Sequence, residues 1–368
     1  MGLLARRAVL GVVLVVVATM SLGSTTGSAS RTIPMGREVV LGAGVGVWDL
    51  YGVSCVAAAC QVVGMTTLDD GYAAGSSDGG QHWTVEHVPS AVKRLEDVSC
   101  ASALHCVAVG QSASSAGLAL VTTNGGRSWL LHMLPGQPRY VTSISCPSTR
   151  VCFALANHAP TGGVVLSTQN GGAVWSHHAL PPLVANVGEL SCPTATVCEG
   201  LAAPSGNGAL VLRTPNGGTA WSVRRLFTQP GSSAVSLSCP AALTCYALGG
   251  PSSPGHSVMK TINGARSWST HSLGFRLGWT ITCGSSTSCV AVGVGSSRVI
   301  AERSSNGGLS WSPSSPIPGG LSAAWKLSCS TVSRCVGVGD TSTGPHSLEG
   351  VAIRTVNGGV SWSAHLFP

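Results

Sequence analysis

The chain has 368 residues, a formal charge of +7 and only 9% Asp, Glu, Lys and Arg, against roughly 25% in ordinary globular proteins. Gly, Ser, Thr and Asn are abundant while the helix formers Glu and Lys are scarce, so the composition favours short strands and tight turns over helices. The thin, scattered positive charge forms no basic stripe, which argues against nucleic acid as a partner.

The N-terminus reads MGLLARRAVLGVVLVVVATMSLGSTTGSAS. Arg6 and Arg7 precede an apolar run from Ala8 to about Val17 and then small polar residues. That is the pattern of a secretory signal peptide over residues 1–30, with cleavage around Ala29 or Ser30. The apolar run falls short of the roughly 20 residues a membrane span needs. Retention as an anchor is the alternative; after cleavage no span is expected. The first cysteine is Cys55, too far from the cleavage site for a lipoprotein anchor. A secreted or cell-envelope protein is therefore expected. Residues 31–43 read as an N-terminal tail. GAGVGV, from Gly42, lacks the spacing and the following helix of a dinucleotide site.

From residue 44 to 368 the chain repeats. Its cysteines pair by spacing as Cys55/Cys60, Cys100/Cys106, Cys146/Cys152, Cys192/Cys198, Cys239/Cys245, Cys283/Cys289 and Cys329/Cys335. In an exported chain such pairs read as disulfides. Zinc is the rival, but zinc sites favour two to four intervening residues and two pairs converging on one ion. Here each pair belongs to its own repeat.

Successive first cysteines are 44 to 47 residues apart, a period that suits a propeller blade or a helical array. Within one unit, LEDVSC, CVAVG, GLALVTT and SWLLHML are β-rich runs bounded by Gly, Ser, Asn or Pro, and none reaches helical length. The fold expected is an all-β, seven-bladed β-propeller with four antiparallel strands per blade and one disulfide inside each blade. Blade limits fall near 44–89, 90–135, 136–181, 182–228, 229–273, 274–318 and 319–368. Each disulfide would clamp the hairpin between the first two strands of its blade. Ring closure stays open between docking of the first blade on the last and edge pairing by REVVLGAG, Arg37 to Gly44.

A second phrase keeps time with the cysteines: SSDGGQHW from Ser76, TTNGGRSW from Thr122, TQNGGAVW from Thr168 and four relatives. It sits where the third strand turns into the fourth. Asp78 and its counterparts Asn124, Asn170, Asn216, Asn263, Asn306 and Asn357 suit a turn in which the side chain accepts backbone N–H groups. The following glycines supply positive φ, with Ala265 as the one replacement. The closing tryptophans would pack under the turn. Calcium binding is the alternative role, but six of the seven side chains are neutral, and hard cations want clustered carboxylates.

This Ser/Thr-x-Asp/Asn-x-Gly-x-x-Trp phrase resembles the Asp-box, or BNR repeat, of sialidase-like propellers. The resemblance covers residues 44 to 368 and implies that the boxes are scaffold on the rim, away from a ligand. In style the chain is nearest to the photosystem II assembly/stability-factor branch, whose members are exported and bind protein partners. The cysteine pairs depart from that branch, and no residue speaks for photosynthesis.

The resemblance also implies a test for sialidase chemistry. Glycosidases need two carboxylates, or a tyrosine nucleophile with a carboxylate, around the cleaved bond, and sialidases add arginines that grip the substrate carboxylate. RTIP at Arg31 to Pro34 matches the family's Arg-Ile-Pro motif only with an extra residue, and no Tyr–Glu partnership can be assigned. No nucleophile elbow, His-Glu-x-x-His or phosphate loop occurs. No catalytic residue, metal or cofactor is assigned.

One window diversifies while the scaffold letters persist. Trp48, Trp279 and Trp325 stand outside the boxes and fall four to seven residues before a first cysteine. The same approach to the innermost strand holds Tyr51, Arg94, Glu96, Asp97, Arg139, Tyr140, Glu189, Arg276 and Lys326. It lies at the mouth of the central channel, where loops on a rigid frame concentrate function. The expectation is an aromatic, basic mouth that binds a polypeptide or a cell-surface glycan, in a monomeric, non-catalytic module. The structural alternative is that these aromatics plug the channel or cover gaps between blades. The enzymatic alternative is a sialidase or polysaccharide lyase, with Glu96, Asp97 and Glu189 first to test.

Overall fold

The computed structural model describes residues 46–158, 162–229, 231–251, 255–314, 316–344 and 347–367. The expected signal peptide, the tail and the RTIP segment lie outside them. No helix among the described residues is long and apolar enough to cross a membrane.

The described chain is a seven-bladed β-propeller. Each blade is one four-stranded antiparallel sheet made of consecutive strands. The innermost strands are Val47–Val56, Val92–Cys100, Tyr140–Ser145, Asn186–Ser191, Ser232–Ala241, Leu277–Cys283 and Leu321–Cys329. Among the described residues no blade borrows a strand, and blade 1 docks on blade 7; the REVVLGAG segment lies outside them. Val47, Leu50 and Val62 share a core with Val336, Val338 and Ala352. Arg354 donates to the Gly79 carbonyl at 2.8 Å, and Ser328 Oγ accepts the Cys55 N–H at 3.0 Å. Among the described residues, six further apolar cores run between or within neighbouring blades, filled by Val, Leu, Ala and Ile from the second and third strands.

All seven cysteine pairs are disulfides within their own blades: Cys55–Cys60, Cys100–Cys106, Cys146–Cys152, Cys192–Cys198, Cys239–Cys245, Cys283–Cys289 and Cys329–Cys335. Their Cα atoms stand 4.0 to 4.1 Å apart, and no described cysteine is free. The bonded residues face each other where the first strand turns into the second, as in Cys100 opposite Cys106.

Burial corrects any view of these cysteines as part of an accessible site. Cys60, Cys106, Cys152, Cys198, Cys245, Cys289 and Cys335 open their second strands inside the apolar cores, each at most 2% exposed. Their partners Cys146, Cys192 and Cys239 are buried, and Cys55, Cys100, Cys283 and Cys329 half-buried. The reason is the strand's alternation: the second cysteine points the same way as the Val, Ala or Gly two places on, as Cys106 does with Ala108. The disulfides are therefore core staples. Closing so short a loop contributes ~2 kcal/mol per bond in the chain-entropy model.

The box turns repeat one hydrogen-bond scheme. In blade 2, Thr122 Oγ1 donates to Asn124 Oδ1 at 2.9 Å and accepts the Gly126 N–H, while Asn124 Oδ1 accepts the Ser128 N–H. The box also donates to the disulfide hairpin of its own blade: Gly125 N–H to the Leu104 carbonyl, and its equivalents in all seven blades. Hairpins and boxes therefore share one end of the ring. The side-chain oxygens are occupied by N–H groups of the turn, which leaves calcium no role here. Ala265 holds φ of 59°, the conformation its glycine counterparts adopt freely.

Candidate binding site at the channel mouth

A β-bulge builds the opposite end. In every blade the register of the innermost strand slips just before the residue three ahead of the first cysteine, as between Leu50 and Gly52, Leu95 and Asp97, and Ala324 and Lys326. A bulge leaves one residue unpaired and re-aims its side chain. The bulged residues Tyr51, Glu96, Thr142, Gly188, Val235 and Trp325 line a cavity of about 190 Å³ at the mouth. The seventh, Trp279, instead packs half-buried against the core between blades 6 and 7.

The next residue in each strand, three before the cysteine, faces the neighbouring blade. Asp97 Oδ2 accepts the Ile144 N–H at 3.0 Å, Ser143 Oγ that of Leu190 at 3.1 Å, Glu189 Oε2 that of Leu237 at 2.6 Å and Ser236 Oγ that of Ile281 at 3.0 Å. Gly52 has no side chain to offer, and a Cβ there would meet Asp97 Cα at 2.8 Å. Lys326 is the member of this ring whose side chain can only donate. It reaches from blade 7 across the axis to Asp97 of blade 2 at 3.2 Å and Glu189 of blade 4 at 2.5 Å. Burial alone would lower the Lys326 pKa; the two carboxylates outweigh it and hold the ammonium charged. The floor of the mouth is thus a compensated ionic bridge, not a plug of aromatics.

Above the floor stand Tyr51, Arg94 and Trp325. The Arg94 guanidinium lies over the Tyr51 ring at 4.1 Å and pairs with Glu96 at 2.6 Å. Tyr51 and Trp325 are tilted neighbours with centroids 6.4 Å apart. The Trp325 indole is 46% exposed, yet its Nε1 donates to Asp49 at 3.1 Å and to Asp340 at 2.9 Å. Those two carboxyls are buried and hydrogen-bonded to each other. Burial and the Asp49 charge push Asp340 up to about 6, and burial raises Asp49 as well.

The mouth therefore gathers Tyr51, Arg94, Asp97, Glu189, Trp325 and Lys326. Arg139 and Tyr140 line a separate groove of about 500 Å³ with Asn157, Pro182 and Asn186. Trp48 and Arg276 are exposed on the same rim, outside the cavity. Asp49 stands in the diversified window without any letter to mark it as a partner, and Asp340 escapes sequence reasoning because it lies in a second strand. A signal existed: five residues after each second cysteine the chain reads Met65, Gln111, Asn157, Ala203, Gly250, Val294 and Asp340, a position as varied as the window itself.

Glu199 lies near Cys239 and Cys245, but both sulfurs belong to one disulfide, so the group is no metal site.

No protein-family model and no curated protein matches the chain. Solved structures do share the fold. YCF48 bound to D1 peptide aligns with a TM-score of 0.61 at 15% identity, covering 85% of this chain and 94% of that one. YCF48 from Cyanidioschyzon merolae gives 0.58 at 15%, with 82% and 95% covered. The GH74 enzyme of Niastella koreensis gives 0.57 at 11%, with 87% and 66% covered. At these identities the likeness establishes a propeller of the same build and nothing of chemistry.

Proposed function

We propose that this chain is an exported, non-catalytic binding module that takes an extended polypeptide segment at the channel mouth. The observation that carries the reading is the state of the mouth's charges. Asp97 and Glu189 are held by Lys326 and by backbone N–H groups, and Asp49 and Asp340 by the Trp325 indole. A pre-organised, compensated floor beneath an exposed indole, a phenol and a guanidinium suits recognition. The solved YCF48 with a D1 peptide supports a peptide as ligand, and a disulfide in every blade supports an oxidising, extracytoplasmic location.

A carbohydrate-active enzyme is the second reading, favoured by the GH74 likeness and by Asp340 at about 6. Against it, glycosidase carboxyls stand roughly 5–9.5 Å apart to admit the sugar, whereas Asp49 and Asp340 are bonded to each other.

The test is a displayed-peptide library and a polysaccharide panel, each presented to the folded chain. Peptides should be captured, and Arg94→Gln should weaken them about tenfold, or ~1.4 kcal/mol, with the thermal midpoint unmoved. Polysaccharide turnover, or peptide affinity indifferent to Arg94, would overturn the reading.

A further inference from the structure

The hairpin-and-box end has a character of its own. Three disulfide hairpins carry an aliphatic tip, Leu104, Leu243 and Val332, each more than half exposed. The box turns add Val174, Ile262 and Leu309, the last two 68% and 75% exposed. Charge is equally one-sided. Four exposed arginines, Arg127, Arg150, Arg266 and Arg334, lie in these turns. The one carboxylate in the seven hairpins and seven boxes is Asp78, which is already paired with His82 at 2.6 Å. The box tryptophans are buried or half-buried, so this end exposes no Trp, Tyr or Phe among its described residues.

From this we infer that the hairpin-and-box face docks on an anionic lipid bilayer, its aliphatic tips entering the interface and its arginines meeting the headgroups. The arginines, uncompensated on this face, call for an anionic partner. The aliphatic residues stand singly on turn tips spread over blades 2, 3, 5, 6 and 7 rather than in one pocket. A planar hydrocarbon boundary engages such tips together; a protein hot spot would use clustered aromatic anchors. Between blades 4 and 5 a groove of about 430 Å³ is lined by Arg224, Arg266, Leu243 and Ile262, beside an Arg213 already paired with buried Glu199, and it offers a headgroup site with an apolar rim. Docking this way leaves the mouth facing away from the membrane. The inference does not depend on what the mouth binds.

The full chain on vesicles of equal phosphatidylglycerol and phosphatidylcholine, followed by hydrogen–deuterium exchange, tests this even if the apolar N-terminus also inserts. Exchange should slow in the hairpins and boxes of blades 2, 3, 5, 6 and 7 and not at the mouth. Vesicles of phosphatidylcholine alone should give little slowing. Arg266→Glu with Arg334→Glu, and separately Ile262→Ser with Leu309→Ser, should each remove the slowing and weaken partition on the order of tenfold. No vesicle binding, equal slowing on neutral vesicles, slowing confined to the mouth, or slowing produced by soluble polyglutamate but not by vesicles would overturn the inference.

Discussion

The two ends of this ring are made from the same repeats by opposite rules. At the hairpin-and-box end, each box turn is built by hydrogen bonds within itself and to the hairpin of its own blade. The bonds that join blades there repeat as well, as Cys100 N–H to Ser54 Oγ and Cys146 N–H to Ser99 Oγ, so every blade needs the same letters. At the mouth, the polar partner of an innermost strand belongs to another blade. Asp97 serves Ile144, Glu189 serves Leu237, and Lys326 spans the axis to both carboxylates. There the blades are free to differ, and the ring loses its symmetry. Repetition marks bonds that every blade, or every pair of neighbours, completes alike; variation marks contacts between unlike blades.

The sharpest way to break this contrast is at Lys326. Lys326→Met should cost about 3 kcal/mol at pH 7, because Asp97 and Glu189 would then face each other without their cation. The exposed Lys93–Asp70 pair on the same rim is the internal control: Lys93→Met should cost less than about 0.5 kcal/mol. Urea unfolding checks both, and equal costs would deny the cross-axis bridge its role.

At the other end the box glycines should not be equivalent. A Cβ on Gly126, at φ of 87°, would sit 1.7 Å from Glu86 Oε1, whereas one on Gly79 at φ of 75° meets nothing within 4 Å. Gly126→Ala should therefore cost about 2 kcal/mol and Gly79→Ala about 1 kcal/mol, the backbone part alone. Ala265 already occupies this turn position in blade 5, so the conformation is tolerated where space allows. Denaturant midpoints that fall equally for both would contradict the steric argument.

The smallest effect separates the ends by pH. Burial pushes Glu86 up to about 7, against hydrogen bonds from Trp129 and Gln61, and pushes Glu199 up to about 7 despite Arg213. Both lie toward the box end; Asp340, at the mouth, is pushed up to about 6. A carboxyl with a raised folded pKa binds more protons folded than unfolded. Stability should therefore fall as pH rises from about 4.5 and level off above 7. Glu86→Gln should remove one proton's share of that slope all the way from about 4.5 to about 7, whereas Asp340→Asn should remove it only up to about 6. Stability that rises across this window would reverse the sign and refute the assignment.

Much of this was legible beforehand because a period near 45 with paired cysteines and glycine-rich boxes leaves a propeller little competition. Seven blades, hairpin disulfides and box turns all follow from local letters. The diversified window was visible too, and it holds Tyr51, Arg94, Asp97, Glu189, Trp325 and Lys326. Invisible was which of these meet. Whether Trp279 or Trp325 reaches the cavity depends on how blades 6 and 7 pack, not on spacing, since both stand four residues before a cysteine. Asp340 and Glu86 are single departures in otherwise apolar strands or loops, and their partners, Asp49 and Trp129, lie in other blades. Contacts made by one pair of blades and not by the others carry no sequence period.

A crystal structure of the chain with a peptide selected for binding is the most direct test of the mouth as the recognition surface. The peptide should lie across Trp325 and Tyr51 with Arg94 in contact and the Lys326 bridge intact beneath it. A peptide seated in the groove beside Arg139 and Tyr140, or on the hairpin-and-box face with the mouth empty, would contradict the account.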